Sequence, residues 1–168
     1  LTRYELSLIR ASDLKKIPLD KYEEILEKGD REYRPTLYDF LAHRALDFYR
    51  NRESGLTRPA DQFALSNPAF LGTLREFAAV RLITDVSLSF DFRAVRLLQD
   101  LAAFHRGNAN TRALIDVDLQ RLRFVYENGV IRDKDALYEK ALRAGAKKYA
   151  DHPDAARVLF ALARRAFS

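Results

Sequence analysis

Apolar residues return through most of this chain at the three-to-four-residue period of an α-helix and almost nowhere at the alternating period of a strand. That period predicts helices over 2–16, 20–28, 36–50, 67–83, 91–106, 111–128, 134–150 and 154–167, about eight in all. Their starts carry capping signals. Thr2-x-x-Glu5, Asp20-x-x-Glu23, Thr36-x-x-Asp39 and Thr73-x-x-Glu76 each place a side-chain oxygen where it can accept from a first-turn N–H. Pro35 ahead of Thr36, and Pro68 after the cap candidate Asn67, suit helix starts, while Gly29, Gly107 and Gly129 stand where a helix ends in a left-handed residue. Two stretches resist the pattern. Residues 51–66 form a polar connection with Gly and Pro, and 83–90 alternates briefly, as a short strand or a loop does.

Within the helices the apolar distribution differs. In 111–128, Ile115, Leu119, Leu122 and Tyr126 recur on one side and Asp116, Gln120, Arg123 and Glu127 on another, which predicts a helix packed on one face. In 37–49 the apolar residues wrap most of the circumference. That helix is therefore expected to be central, with neighbours on two sides and with Leu37, Phe40, Leu41, Ala45 and Phe48 buried. Its polar remainder, Asp39, His43, Asp47 and Arg50, is a narrow stripe that meets water or a buried polar network.

Short turns between successive helices predict consecutive α-hairpins: an all-α fold built as a tetratricopeptide-like or α-solenoid-like stack. The last pair is the clearest. Leu137, Tyr138, Ala141, Leu142, Gly145 and Tyr149 share a packing side, His152-Pro153 marks a turn, and the small Ala141 and Gly145 predict the closest helix-helix approach. The aromatic near the start of a standard tetratricopeptide repeat, and its Leu-Gly pair, are missing. The expected organisation is one helical module over 1–168, with sub-divisions near 51–66 and 107–111.

At 168 residues and 48% hydrophobic, the chain has ample material for a core. Charged residues make up 32% and no apolar run reaches the roughly eighteen needed to cross a bilayer, so no membrane span is expected. The chain opens at Leu1 without an initiator methionine, which reads as a piece of a longer protein with its targeting signals elsewhere. With no cysteine there is no disulfide, thiolate metal site or thiol nucleophile. A net charge of +5 and a pI near 9.5 raise nucleic acid as a partner. The distribution argues against it: Lys15-Lys16, Lys147-Lys148 and Arg164-Arg165 are isolated doublets among interspersed acids.

Chemistry-bearing patterns are sparse. His43, His105 and His152 are scattered, with no His-Glu-x-x-His among them. His105 and His152 fit the last turns of their helices, and His43 lies between Asp39 and Asp47, an arrangement that favours its protonated form. Asp116 with Asp118, and Asp133 with Asp135, are spaced two apart, so on a helix they point different ways; the second pair reads as helix initiation. Phosphate loops and a Gly-x-Ser-x-Gly elbow are absent. No catalytic, cofactor-binding or metal-binding residue is assigned, and no cofactor is expected.

The stretch IPLDKYEEILEKGDREYRPTLYDFLAHRALDFY, from Ile17 to Tyr49, resembles the N-terminal helical region of large bacterial alpha-2-macroglobulin-like proteins, most specifically in RPTLYDFLAHRALDFY. The stretch from Ala113 to Pro153 resembles the continuation of that region, in the same order. The resemblance implies a periplasmic or cell-envelope parent of many β-sandwich domains, in a family tied to trapping or inhibiting proteases. That family's thioester needs a Cys and a Gln, and this chain has no cysteine, so no active residue carries over.

The expected function is a non-enzymatic helical scaffold or interaction segment of such an envelope protein, its partners being neighbouring domains of the same polypeptide or a protein or peptide. The alternative is an independent tetratricopeptide-like adaptor that binds a peptide in a concave groove. An apolar flank at one end of the stack distinguishes the scaffold, and a groove lined by polar and aromatic residues distinguishes the adaptor.

Overall fold

The structure, a computed structural model, describes residues 12–22, 31–50, 63–83 and 89–166. The chain divides into two compact units, Leu1–Pro59 and Ala60–Ser168. Among the described residues it is all-helical, with an isolated bridge between Pro18 and Thr36 and no strand.

In the first unit the described parts of the expected helices 2–16 and 20–28 are short 3-10 turns, Ser12–Lys16 and Leu19–Tyr22; the remainder, with Thr2, Glu5, Glu23 and Gly29, lies outside the described residues. Helix α1, Leu37–Arg50, packs on the turn Ser12–Lys16, and Leu37 N donates to Ile17 O at 2.9 Å. Its start forms as the capping pattern predicts. Thr36 Oγ1 accepts from Asp39 N at 3.2 Å, and Asp39 Oδ2 accepts from Thr36 N at 3.0 Å.

The buried face of α1 differs from the expected one. Tyr38, Ala42, Ala45, Leu46 and Tyr49 are buried together with Asp39 and His43, whereas Leu37, Phe40, Leu41 and Phe48 stay part-exposed. Half of the polar stripe thus faces inward, while Asp47 is exposed. The Asp39 carboxylate is satisfied by its own helix start, so it enters the interior without the penalty of an unpaired polar group.

The second unit holds α2 (Leu74–Ala79), α3 (Phe90–Gly107), α4 (Thr111–Asn128), α5 (Lys134–Lys148) and α6 (Ala155–Ala166). Six α-helices are therefore described, fewer than the expected eight. The continuous helix expected over 67–83 is instead a 3-10 turn, Pro68–Leu71, and the short α2. The break follows from two competing caps. Asn67 Oδ1 accepts from Ala69 N at 2.9 Å and Thr73 Oγ1 accepts from Glu76 N at 3.2 Å, so the second cap restarts the helix through an extended Gly72. Side chains from neighbouring helices take the carbonyls this leaves. Arg121 Nη1 reaches Phe70 O and Gly72 O at 2.8 and 2.9 Å, and Gln99 Nε2 reaches Phe77 O and Val80 O at 2.9 Å each, which ends α2 at Ala79. Residues 84–88 of the 83–90 stretch lie outside the described residues, and Ser89 caps α3.

Helix α4 is the surrounded element of this unit, touching α3, α5, α6 and the Pro68–Leu71 turn. Its buried residues, Ala113, Ile115, Asp116, Val117, Arg121, Leu122, Phe124 and Val125, occupy far more than one face. The one-sided expectation failed because Ala113, Val117 and Phe124 make a second buried apolar side, and because Asp116 and Arg121, polar in sequence, are buried in ion pairs. Tyr126 near the end of α4 stacks on Tyr138 near the start of α5, and Arg165 near the end of α6 bonds Asp135 near the start of α5. Helices α4, α5 and α6 therefore alternate in direction. Gly145 of α5 faces Val158 of α6, and a Cβ added there would lie 3.3 Å from Val158 Cγ1, in keeping with the close approach expected at this residue.

The glycine signals need correcting. Neither Gly107 nor Gly129 is left-handed; that conformation falls on Ala109 (φ 55°) and Asp133 (φ 54°). Gly129 leaves α4 extended, and its requirement is clearance: a Cβ would sit 2.5 Å from Val125 O and 3.2 Å from Leu65 O. The same path lets Val130 N donate to Leu65 O at 3.0 Å.

Candidate functional site

The histidines and paired carboxylates fall into separate places. His43 is buried in α1, and His105 is buried in the last turn of α3, its ring 4.9 Å from that of Phe104. His152 departs from expectation: α5 ends at Lys148, so it sits in the following turn, where its Nδ1 accepts from Asp154 N at 3.2 Å. Among the described residues no three His, Asp or Glu side chains converge on a metal position. Asp116 and Asp118 turn apart, as their spacing requires. Asp116 accepts from Arg157 Nη2 and Gln120 Nε2, both at 2.6 Å, and Asp118 accepts from Arg121 Nε at 2.9 Å. Asp133 is the residue ahead of α5 and makes no side-chain cap bond, while Asp135 lies in the first turn.

Helix α6 is basic and carries apolar residues on its exposed side. Its sequence, AARVLFALARRA, contains three arginines and no acid. Arg157 is drawn inward to Asp116 of α4, and Arg165 to Asp135 of α5 at 2.8 Å, with its guanidinium 5.8 Å over the Tyr126 ring. Ala155 and Val158 are buried beside them. On the opposite side Ala156, Leu159, Phe160 and Ala163 are exposed, at i, i+3, i+4 and i+7 of one face. Leu159 is 53% and Phe160 65% exposed. A helix at the surface of a folded unit ordinarily turns charge outward and apolar residues inward. Here charge-assisted bonds hold two arginines in, and the helix has apolar residues left over.

The inner side of α6 is braced at one end. The Tyr126 and Tyr138 rings stack at 4.4 Å and 19°, Tyr126 Oη donates to Asp135 Oδ1 at 2.6 Å, and Lys134 Nζ lies 5.4 Å from the Tyr126 centroid. The hydroxyl bond holds the Asp135 carboxyl below its ordinary value, with Arg165 acting in the same direction, and holds the Tyr126 phenol above its own. Burial raises the Tyr138 phenol. These groups satisfy one another, so the brace orients α6 and leaves the face of Leu159 and Phe160 pointing away.

The sequence pattern predicts a helix over 154–167 but does not separate its two sides. The available signal was an excess of apolar positions over what one face holds. No helix among the described residues is long and apolar enough to cross a membrane. Comparison of the chain with protein-family models, with curated proteins and with solved structures finds no match to any of them.

Proposed function

We propose that this chain is a non-enzymatic helical scaffold whose last described helix, α6, receives a neighbouring domain of the same polypeptide. The observation that carries the reading is the outward face of Ala156, Leu159, Phe160 and Ala163 on a helix two of whose three arginines are paired with acids of neighbouring helices. Exposed Leu and Phe at helical spacing mark an interaction surface rather than scattered surface residues. The resemblance of 17–49 and 113–153 to alpha-2-macroglobulin-like proteins supports an envelope-associated parent concerned with protease trapping or inhibition. The second reading, a tetratricopeptide-like adaptor, draws on the alternating helices α4 to α6 and the close approach of Gly145 to Val158.

Thiol labelling separates the two. The chain has no cysteine, so Phe160→Cys introduces a single thiol. It should label rapidly in the chain alone and at least about tenfold more slowly in the full natural polypeptide, where a neighbour covers it. Equal rates in both, or a reading frame that stops at Ser168, would overturn the scaffold.

A further inference from the structure

We propose that His152 is a proton-operated catch at the joint between α5 and α6, exchanging a bond within the turn for one that reaches toward α4. The geometry turns on one atom. His152 Nδ1 accepts from the backbone N of Asp154 at 3.2 Å and lies 3.4 Å from Asp154 Oδ2. These two partners require opposite protonation states: the N–H needs a bare ring nitrogen, and the carboxylate needs a protonated one. Histidine is the side chain that changes charge around neutral pH, so a single proton decides which partner is held.

The surroundings keep the exchange local. His152 N donates to Tyr149 O and His152 O accepts from Ala155 N, both at 2.9 Å, and Pro153 restricts the backbone of His152. The His152 side chain is 26% exposed, so solvent protons reach the ring, whereas Asp154 is buried. Across the Asp154 carboxylate stands a second cation, Arg112 of α4, with its Nε 3.2 Å from Oδ2. Farther along α4, Asp116 pairs with Arg157 of α6. The other charged residues of the joint, Lys147, Lys148 and Asp151, are exposed.

In the neutral state the ring secures the N–H just ahead of α6, and Arg112 and Asp154 balance in charge. In the protonated state that N–H loses its acceptor, the imidazolium joins Arg112 on one carboxylate, and the trio carries a net positive charge. Acidification thus moves the hold on Asp154 from its backbone to its side chain, on which α4 also pulls.

The test is a titration of the nitrogen-15-labelled chain from about pH 8 to about pH 5, a span that covers imidazole, with ring-nitrogen and backbone-amide NMR signals recorded together. At the alkaline end Nε2 of His152 should carry the proton and Nδ1 should be bare. On acidification the Asp154 amide proton should move upfield in step with the His152 ring as it loses its acceptor. His152→Asn keeps a side-chain acceptor but cannot titrate, so it should erase that step while the amides of 155–166 keep their helical pattern. Arg112→Gln should move the step toward higher pH, because the imidazolium then no longer shares Asp154 with a guanidinium.

A protonated Nδ1 at the alkaline end, an Asp154 amide that stays put while the ring titrates, or a step that survives in His152→Asn would each overturn the proposal. An unmoved step in Arg112→Gln would overturn it too, since Asp154 would then not link the ring to α4.

Discussion

Arg121 is the largest fully buried side chain among the described residues, and its removal has a magnitude that follows from its contacts. The side chain is 1% exposed; Nη1 donates to Phe70 O and Gly72 O, Nε donates to Asp118 Oδ1, and the guanidinium lies 5.1 Å from the Phe77 centroid. Arg121→Ala strands two backbone carbonyls, leaves the 14%-exposed Asp118 side chain without its cation, and opens a void against Phe77. Each unsatisfied buried carbonyl costs about 1–3 kcal/mol, and breaking a buried pair from one side about 3–5 kcal/mol. These are overlapping descriptions of one loss, so the expected destabilisation is about 4 kcal/mol, a large share of the roughly 5–15 kcal/mol typical of a domain. The melting temperature should fall by roughly 8–16 °C. Denaturant unfolding followed by far-UV circular dichroism reads the change as a lower midpoint with an unchanged slope. Arg121→Lys should recover only part of it, because one ammonium cannot serve both carbonyls and Asp118 in the fork geometry. If Arg121→Ala unfolds within about 1 kcal/mol of the unmodified chain, the idea that this side chain holds the Pro68–Leu71 turn in place is wrong.

Gly145→Leu should lower stability by about 1–3 kcal/mol through overpacking against Val158, and a variant that melts no lower would place Gly145 on the solvent side. Gly129→Ala should destabilise by a similar amount, about 1–3 kcal/mol, because its Cβ meets backbone oxygens that cannot rotate away; a neutral result in thermal melts would refute the clearance argument. Asp135 is held below its ordinary value in the folded chain, so its contribution to stability is present above the unfolded carboxylate value and lost as pH falls through the lower folded midpoint. Tyr126→Phe removes the largest cause, and the Asp135 midpoint in a carboxyl NMR titration should climb toward 3.8; an unmoved midpoint would contradict the bond.

Local signals made the long helices legible. Helix α4 lies where its period placed it, α3 and α1 are within a residue of expectation, and the caps at Thr36 and Thr73 form the reciprocal bonds their spacing implies. Such features depend on neighbours within one turn, which a sequence displays directly. The inward pairing of two α6 arginines, which sets the Leu159–Phe160 face outward, and the brace at Tyr126 were not legible, because each joins residues distant in the chain: Arg157 to Asp116, Arg165 to Asp135.

The alternation of helix and turn, the absence of thiol chemistry and the lack of a long apolar run were determined by the sequence alone. Which side of each helix is inside was decided only in three dimensions. Polarity in sequence predicts exposure unless a partner satisfies the polar group, and Asp39, Asp116 and Arg121 each find that partner. Paired charges take up room on the packed side of a helix, and on α6, where Asp116 and Asp135 hold the part-exposed Arg157 and Arg165, Leu159 and Phe160 lie on the outer side.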